Sequence, residues 1–488
     1  MAKKPITLDE RGFRKFGIAD KLGYMFGDFG NDFTFILSTM ILMKFYTDVM
    51  GVSAAVVGTI MMIARFVDAV TDVTMGRIAD ASKPTKAGKF KPWLIRMCVP
   101  VAIASFLMYA PGLAGNWVSG WSDSVKIGYL AITYILWGSF CYTGINIPYG
   151  SMASALSPDP GDRQSLSTFR TMGGMFAGMF IGIGLPMVAY DKVEVVTETG
   201  EKVAQDVING NMVALAALLF SVLAIVCYVL AYKLITERVA YKAEKKENVP
   251  IGKMLLNAVT NRALLSIIVA SVVMLLAQLT MQNMAAYLYP DYYNAGKLQS
   301  ASSILMMVGM LVAGVVAKPL ASKYGKAEVS IVSNLFAGVV CIITWLLKPE
   351  SVYMFMGLQT LCWLGLGIFS MVSWALITDV IDYSELKNGI REDGSVYALY
   401  SFARKLGQAV AAGLSGWLLT AINYNEKALE QGVTQTAAVK DGIFTISTLV
   451  PAIGFVALGL VLWFWYPLHK KQVDANVAAL KEKHASEE

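Results

Sequence analysis

VVGTIMMIARFVDAVTDVTMG, residues 56–76, is a run long enough to cross a bilayer, and its apolar character is broken by Arg65, Asp68 and Asp72. A charge at mid-bilayer costs about 2.5–3.5 kcal/mol on insertion scales. Three charges within about two helical turns therefore need a polar interior to face. Asp68 and Asp72 are four residues apart, which sets both carboxylates on one helical face, with Arg65 one turn earlier on the same side. Such a pair, joined by a hydroxyl, suits a small monovalent cation. A proton-binding pair fits equally, because like charges raise one pKa. A third possibility is an Arg65–Asp68–Asp72 network that only locks helices together.

The rest of the chain is built in the same way. Its 488 residues are 56% hydrophobic and only 16% charged, with mean hydropathy +0.54. A soluble protein carries roughly a quarter charged residues. Long apolar runs recur from residue 23 to residue 466. A β-barrel would show short alternating strands instead, so the fold class is an all-α membrane protein with the lipid bilayer as its main partner. The net charge of +6 follows membrane topology and implies no nucleic acid. No Gly-x-x-x-x-Gly-Lys-Ser/Thr loop is present, so ATP is not the direct energy source. Neither the five cysteines nor His469 and His484 have metal-ligand spacing, and no cofactor or enzyme activity is expected. The basic N-terminus lacks the apolar core of a cleaved signal.

Hydropathy punctuated by Gly, Pro and charge predicts twelve spans centred near residues 37, 63, 103, 137, 178, 222, 274, 310, 338, 367, 408 and 453. Basic clusters occupy the N-terminal tail, the 2–3, 6–7 and 8–9 connections and the C-terminal tail; the 1–2 turn has none and the 7–8 turn only Lys297. This asymmetry predicts a multi-pass plasma-membrane protein with both termini cytoplasmic. The expected organisation is a tail (1–22), a six-helix bundle (23–235), a cytoplasmic loop (236–262), a second six-helix bundle (263–466) and a tail (467–488), functional as a monomer. Residues 190–210, YDKVEVVTETGEKVAQDVING, alternate like a hairpin about Thr199–Gly200 and read as a solvated external loop. Residues 470–488 read as a short, charged, mobile tail.

Other intramembrane polar groups extend the signal. YMFGDFGNDFTF, residues 24–35, sets Asp28 and Asp32 on one face, and Gly23, Gly27 and Gly30 admit a close neighbouring helix. Asp32 is a candidate acceptor for sugar hydroxyls or a cation; Asp28, nearer the cytoplasm, suits that role or a structural ion pair. WGSFCYTGINIPYGSM, residues 137–152, places Thr143 and Asn146 one turn apart, ready to complete a cation or sugar shell or to serve as inter-helix glue. Arg170 falls early in span 5 and could meet an acid or a sugar. Lys405 lies near the centre of span 11 and implies a carboxylate partner, while Arg404 points about 100° away. Asp379, Asp382 and Glu385, followed by Arg391, could join Arg163 in a gate of breakable ion pairs, or simply solvate helix ends. Trp137, Trp363 and Trp374 could stack on a sugar ring, although packing explains any one of them as well.

Taken together, YMFGDFGNDF, the stretch from Phe45 to Asp80, GKFKPW, NIPYGSM with Arg163 and Arg170 downstream, and DVIDYSELKNGIRED resemble the glycoside–pentoside–hexuronide:cation symporters, the melibiose-permease group of the major facilitator superfamily. MGRIADASKPTKAGK is similar to the superfamily's 2–3 loop motif. The resemblance covers most of the chain. It implies twelve transmembrane helices in two six-helix bundles and import of a glycoside or small oligosaccharide with Na⁺ or H⁺. By the same resemblance Asp68 and Asp72, helped by Thr143, hold the coupling cation, and Asp32 and Arg170 contact the sugar. Lys405 bridges toward the acidic cluster, and Asp379, Asp382, Glu385 and Arg391 belong to the cytoplasmic gate. The chain departs from the melibiose carriers at Asn146, where they have a sugar-binding aspartate, and at Thr71, where their cation site has an asparagine. The sugar, and the choice between Na⁺ and H⁺, are therefore open. A sugar sensor that moves no solute and a carrier of a non-sugar amphiphile are the alternatives. Binding without flux would mark the first, and transport of amphiphiles the second.

Overall fold

The computed structural model describes residues 12–113, 120–239, 261–388 and 393–487. Twelve long helical rods succeed one another among these residues. They are α1 (Ile18–Lys44), α2 (Ala54–Ala81), α3 (Lys91–Leu107), α4 (Asp123–Leu156), α5 (Pro160–Ala189) and α6 (Gly210–Leu234), then α7 (Arg262–Tyr287), α8 (Gln299–Tyr324), α9 (Lys326–Leu347), α10 (Val352–Asn388), α11 (Asp393–Ala421) and α12 (Ala437–Leu460). Every expected span centre falls inside its rod. Nine of these helices are long and apolar enough to cross a membrane on composition alone. The others are α1 and α11, which carry interior charge, and α3, which is only 17 residues long.

Local chemistry sets several boundaries. Asp159 accepts from the Gly161 and Asp162 N–H groups at 2.6 and 3.1 Å ahead of α5, whose first residue is Pro160. Asn261 accepts from Ala263 and Leu264 ahead of α7, and Thr436 from Val439 ahead of α12. These side chains satisfy N–H groups that have no partner inside the helix. The α2 N-terminus is capped from far along the chain: Glu426 Oε1 accepts the Ala54 N–H at 2.9 Å, and a carboxylate there also meets the positive end of the helix dipole.

The chain forms two compact units, one holding α1–α6 and the other α7–α12. In the first, α1 packs on α5 and α6, α6 on α3, and α2 on α4. In the second, α7 packs on α11 and α12, α12 on α9, and α8 on α10. Adding six to each helix number of the first list generates the second. The two halves thus share one packing scheme, as expected of parallel six-helix repeats.

Two expectations change. Residues 190–210 are not simply a solvated loop: β1 (Tyr190–Val196) and β2 (Lys202–Ile208) form a two-stranded hairpin whose Val195, Gln205 and Asp206 are buried. Residues Glu194–Asp206 belong to the second unit. There Asp206 Oδ2 accepts the Gly296 N–H at 2.8 Å, and Val196 pairs through its backbone with Gly432 and Thr434. Polar alternation reads the same whether such a strand meets water or protein. The C-terminal segment is a helix, α13 (Lys470–Glu487), not a loose tail. Glu328 Oε1 accepts the Lys470 N–H at 2.8 Å at its start, and Leu480 and Asn476 are buried.

At the exit of α6 a charged hub ties the first unit together. Asp20, fully buried, pairs with Arg14 at 2.7 Å and Arg238 at 2.8 Å and accepts the Thr236 N–H. Glu237 accepts the N–H groups of Lys89, Phe90 and Lys91 at the start of α3. Gly88 has φ +121°, and a Cβ there would overlap the Glu237 carboxylate.

Candidate functional site

Two polar clusters lie inside the first unit, and α4 contributes to both. The first is built on α1. The α1 backbone comes so close to α4 that a Cβ on Gly27 would overlap the Tyr149 ring. Tyr149 donates its hydroxyl to the Tyr24 carbonyl at 2.6 Å and stacks on the Tyr24 ring. Arg170, from α5, lies over the Tyr149 ring and donates to Asp28 Oδ1 at 2.9 Å. Asp28 is therefore an ion-pair partner, one of the two roles its position suggested. One turn on, Asp32 faces Gly174 of α5, where an added Cβ would lie 2.5 Å from Asp32 Oδ2. On the adjoining side Asn31 donates to Asn146 Oδ1 at 3.4 Å and accepts from the Tyr228 hydroxyl at 2.9 Å. Asp28, Asp32, Asn146 and Arg170 thus fall around one short length of α1.

The second cluster joins α2 to α4. Arg65 donates to Asp68 Oδ2 at 3.3 Å, and the other oxygen of that carboxylate accepts the Ser139 hydroxyl at 2.5 Å. Thr143 donates to Asp72 Oδ1 at 2.8 Å. Thr71, a further candidate cation ligand, has its hydroxyl 3.1 and 3.2 Å from the Asp68 and Val67 carbonyls of its own helix. The Arg65 guanidinium lies 5.0 Å from the Phe35 ring centroid of α1, and Phe35 stacks on Tyr142, the residue before Thr143. Guanidinium and stacked rings therefore connect the two clusters, since a cation over an aromatic face is held by the ring quadrupole.

Ser139, Asn31 and Tyr228 are site residues that sequence reasoning missed. Each sits in an apolar run where a single hydroxyl or amide reads as ordinary inter-helix hydrogen bonding. Tyr228 gives no sequence signal at all. Asn31 could have been noticed because it adjoins Asp32.

The remaining candidates lie elsewhere. Arg163, exposed in α5, donates to the Ser157 carbonyl at 2.9 Å. Asp379 of α10 pairs with Lys326 at 2.5 Å, a partner not foreseen, while Glu385 is buried and Asp382 partly so. Lys405 of α11 is exposed. Arg404 finds aromatic partners, its guanidinium lying 5.8 Å from the rings of both Trp374 and Tyr400. Arg391 lies outside the described residues. Trp137 and Trp363 are packed into the helical cores. Among the described residues no group of three or more His, Cys, Asp or Glu gathers as a metal cluster.

Comparison with known proteins agrees with this architecture. Residues 23–470 match the family model described as MFS/sugar transport protein. The chain is 29% identical to the "Uncharacterized symporter YjmB" of Bacillus subtilis, covering 99% of each chain. It is 28% identical to the "Glucuronide carrier protein homolog" of Escherichia coli, covering 95% of each. The crystal structure of the nucleoside transporter NupG superposes with a TM-score of 0.61 at 15% identity, covering 92% of this chain and all of that one; this likeness concerns the fold alone. The family match runs over most of the chain, from within α1 to beyond the end of α12: the protein belongs to the MFS/sugar transport family, a transporter family and not a family of enzymes.

Proposed function

We propose that the chain is a secondary active symporter that imports a glycoside or small oligosaccharide with Na⁺ or H⁺ by alternating access. The observation that carries this reading is the shared use of α4. Its Ser139 and Thr143 hold the Asp68 and Asp72 carboxylates of α2, and its Asn146 and Tyr149 meet the α1 residues around Asp28 and Asp32. A cation drawn to the acid pair therefore acts on the helix that also walls the second cluster. Binding there relieves repulsion between two like charges one turn apart and favours one setting of α4. Coupling of this kind is reciprocal, so sugar tightens cation binding by the factor by which the cation tightens sugar binding.

Asp32, Asn146 and Arg170 are the sugar-binding set in this proposal, with Asp28 orienting the Arg170 guanidinium. A carboxylate accepts from two adjacent hydroxyls at once, and a guanidinium donates to ring or carboxylate oxygens. Arg170 also supplies positive charge. An acidic sugar is thereby accommodated, in keeping with the glucuronide named for one relative. Asp379, Asp382, Glu385, Arg391 and Arg163 form the cytoplasmic gate of the same proposal. The chain works as a monomer in the plasma membrane with both termini in the cytoplasm. The bundles are residues 23–235 and 263–466.

Uptake into vesicles under imposed Na⁺ or H⁺ gradients tests the proposal. Accumulation against a sugar gradient is expected only when one of the ion gradients is present. Asp68→Asn should abolish that accumulation while sparing slow equilibration. Unchanged gradient-driven uptake in the variant would remove the coupling role from the acid pair.

A further inference from the structure

In the second unit α9 and α10 pack along one antiparallel seam and are joined by the short connection 348–351. The Lys326–Asp379 pair closes the end of the seam away from that connection. Further along, Gly365 of α10 faces Ala337 of α9, and a Cβ added to the glycine would lie 2.9 Å from the alanine methyl. Glycine lets the two backbones come close at this crossing. About one turn nearer the connection stand Cys341 on α9 and Cys362 on α10, and their sulfur atoms are 3.0 Å apart. Both are free thiols buried in the apolar core of the second unit. The other three cysteines, Cys98, Cys141 and Cys227, are buried in the first unit.

Hydrogen bonding orders the pair. Cys362 donates to the Ala337 carbonyl at 3.6 Å, so its lone pairs are left to accept the Cys341 S–H. Proximity then decides the chemistry. A sulfenic acid formed at an isolated thiol can be oxidised onward to a sulfinic acid, which thiol reductants do not reverse. Beside a second thiol it condenses to a disulfide instead. Here the sulfurs need to close by only about 1 Å to reach bonding distance. Burial shuts out bulky and charged oxidants, which leaves small neutral hydroperoxides as the reagent class. One sulfur attacks a peroxide oxygen, the O–O bond breaks, and the thiol hydrogen departs with the other oxygen as water. The second sulfur then attacks the sulfenic sulfur. An S–S bond forms as the S–O bond breaks, and a second water leaves. Two thiols have lost two electrons and two hydrogens, and one hydrogen peroxide has become two waters.

We infer that Cys341 and Cys362 are an oxidative modification site, a dithiol that a small hydroperoxide closes reversibly into a disulfide stapling α9 to α10. The test treats the purified full-length protein with hydrogen peroxide, denatures it, alkylates the remaining thiols with a maleimide and maps its peptides by mass spectrometry. Wild type should lose two of its five alkylatable thiols together and yield a Cys341–Cys362 cross-linked peptide. Dithiothreitol should return all five. Protein denatured in SDS before the peroxide is the control, and should give a mixture of cysteine pairs. Cys341→Ala and Cys362→Ala should yield no cross-link, and the thiol left in each should pass to the sulfinic acid. Cys341→Ser keeps the size and serves if the alanine variants do not fold. Oxidised wild type should unfold about 3 °C or more above the reduced protein, a shift absent from the variants.

Three results would overturn the site: five thiols retained at a peroxide dose that cross-links the denatured control, sulfinic acid at Cys341 or Cys362 of wild type in place of the cross-link, or the same mixture of pairs from native and denatured protein. A cross-link that leaves the unfolding temperature unchanged would overturn the staple.

Discussion

Thr143 Oγ1 donates to Asp72 Oδ1 at 2.8 Å, and three residues later on the same helix Asn146 accepts from Asn31 of α1. One turn of α4 thus touches both the acid pair and the helix that carries Asp28 and Asp32. If the Thr143 oxygen faces the cation, Thr143→Ala removes one ligand and should weaken cation binding by about tenfold or more, corresponding to about 1.4 kcal/mol. Because the coupling is reciprocal, sugar affinity at sub-saturating cation should fall with it, yet recover at saturating cation. Calorimetric titration of sugar at two cation concentrations checks this; equal loss at both would detach Thr143 from the cation side.

Asp32 has room only because Gly174 has no side chain. An alanine Cβ there would lie 2.5 Å from Asp32 Oδ2 and 3.4 Å from Asp28 Oδ2. Gly174→Ala should displace Asp32 and lower sugar affinity by about tenfold or more, corresponding to about 1.4 kcal/mol. Cation-dependent stabilisation should persist, since Asp68 and Asp72 lie on another helix. Gly27→Ala makes a useful contrast, because its Cβ meets the packed Tyr149 ring. Overpacking of that kind costs about 1–3 kcal/mol. It should appear as a lowered unfolding temperature. A Gly174→Ala variant that binds sugar normally would take Asp32 out of the sugar set.

Arg170 and Asp28 form a pair of unequal exposure, with side chains 41% and 11% accessible. Removing either partner leaves the other charge beside the stacked Tyr24 and Tyr149 rings. The single variants Arg170→Ala and Asp28→Asn should each reduce sugar binding, and the double variant should lose less than the sum. Contacting residues of this kind couple by about 0.5–3 kcal/mol. A double-mutant cycle on sugar affinity measures the coupling, and strict additivity would mean that Arg170 acts on the sugar without help from Asp28.

Much of this was legible in the sequence for one physical reason: the bilayer makes charge expensive, so Asp28, Asp32, Asp68, Asp72 and Arg170 stand out against apolar surroundings. Chemical type alone leaves Arg170 between an acid and a sugar, and the link of Thr143 to the acid pair rests on the family resemblance. The same contrast hid Ser139, because a neutral hydroxyl inserts cheaply. Outside the membrane the contrast vanishes altogether. Arg238 reads as one more basic residue of the 6–7 connection, and residues 470–488 read as a mobile tail because charge dominates their composition. The hairpin at 190–208 was recognised by its alternation, but alternation does not say what covers a strand.

The charges at the start of α1 and the exit of α6 carry the clearest stability prediction. Asp20 is fully buried between Arg14 and Arg238 and also accepts the Thr236 N–H at 3.0 Å. Arg238 is nearly buried too, and spends its other N–H groups on the carbonyls of Arg14, Leu156 and Thr236. It is therefore held in place when its counter-charge is removed. Breaking a buried pair from one side costs about 3–5 kcal/mol, because the partner's charge stays desolvated. Asp20→Asn should lower the unfolding temperature markedly, whereas Asp80→Asn, at an exposed position, should change stability by no more than about 0.5 kcal/mol. The hub joins the start of α1 to the exit of α6, two helices that pack along their length. Accessibility of cysteines introduced at the start of α1 and the exit of α6 should accordingly rise in Asp20→Asn before global unfolding, and an unfolding profile identical to that of wild type would show that the α1–α6 packing holds without the hub.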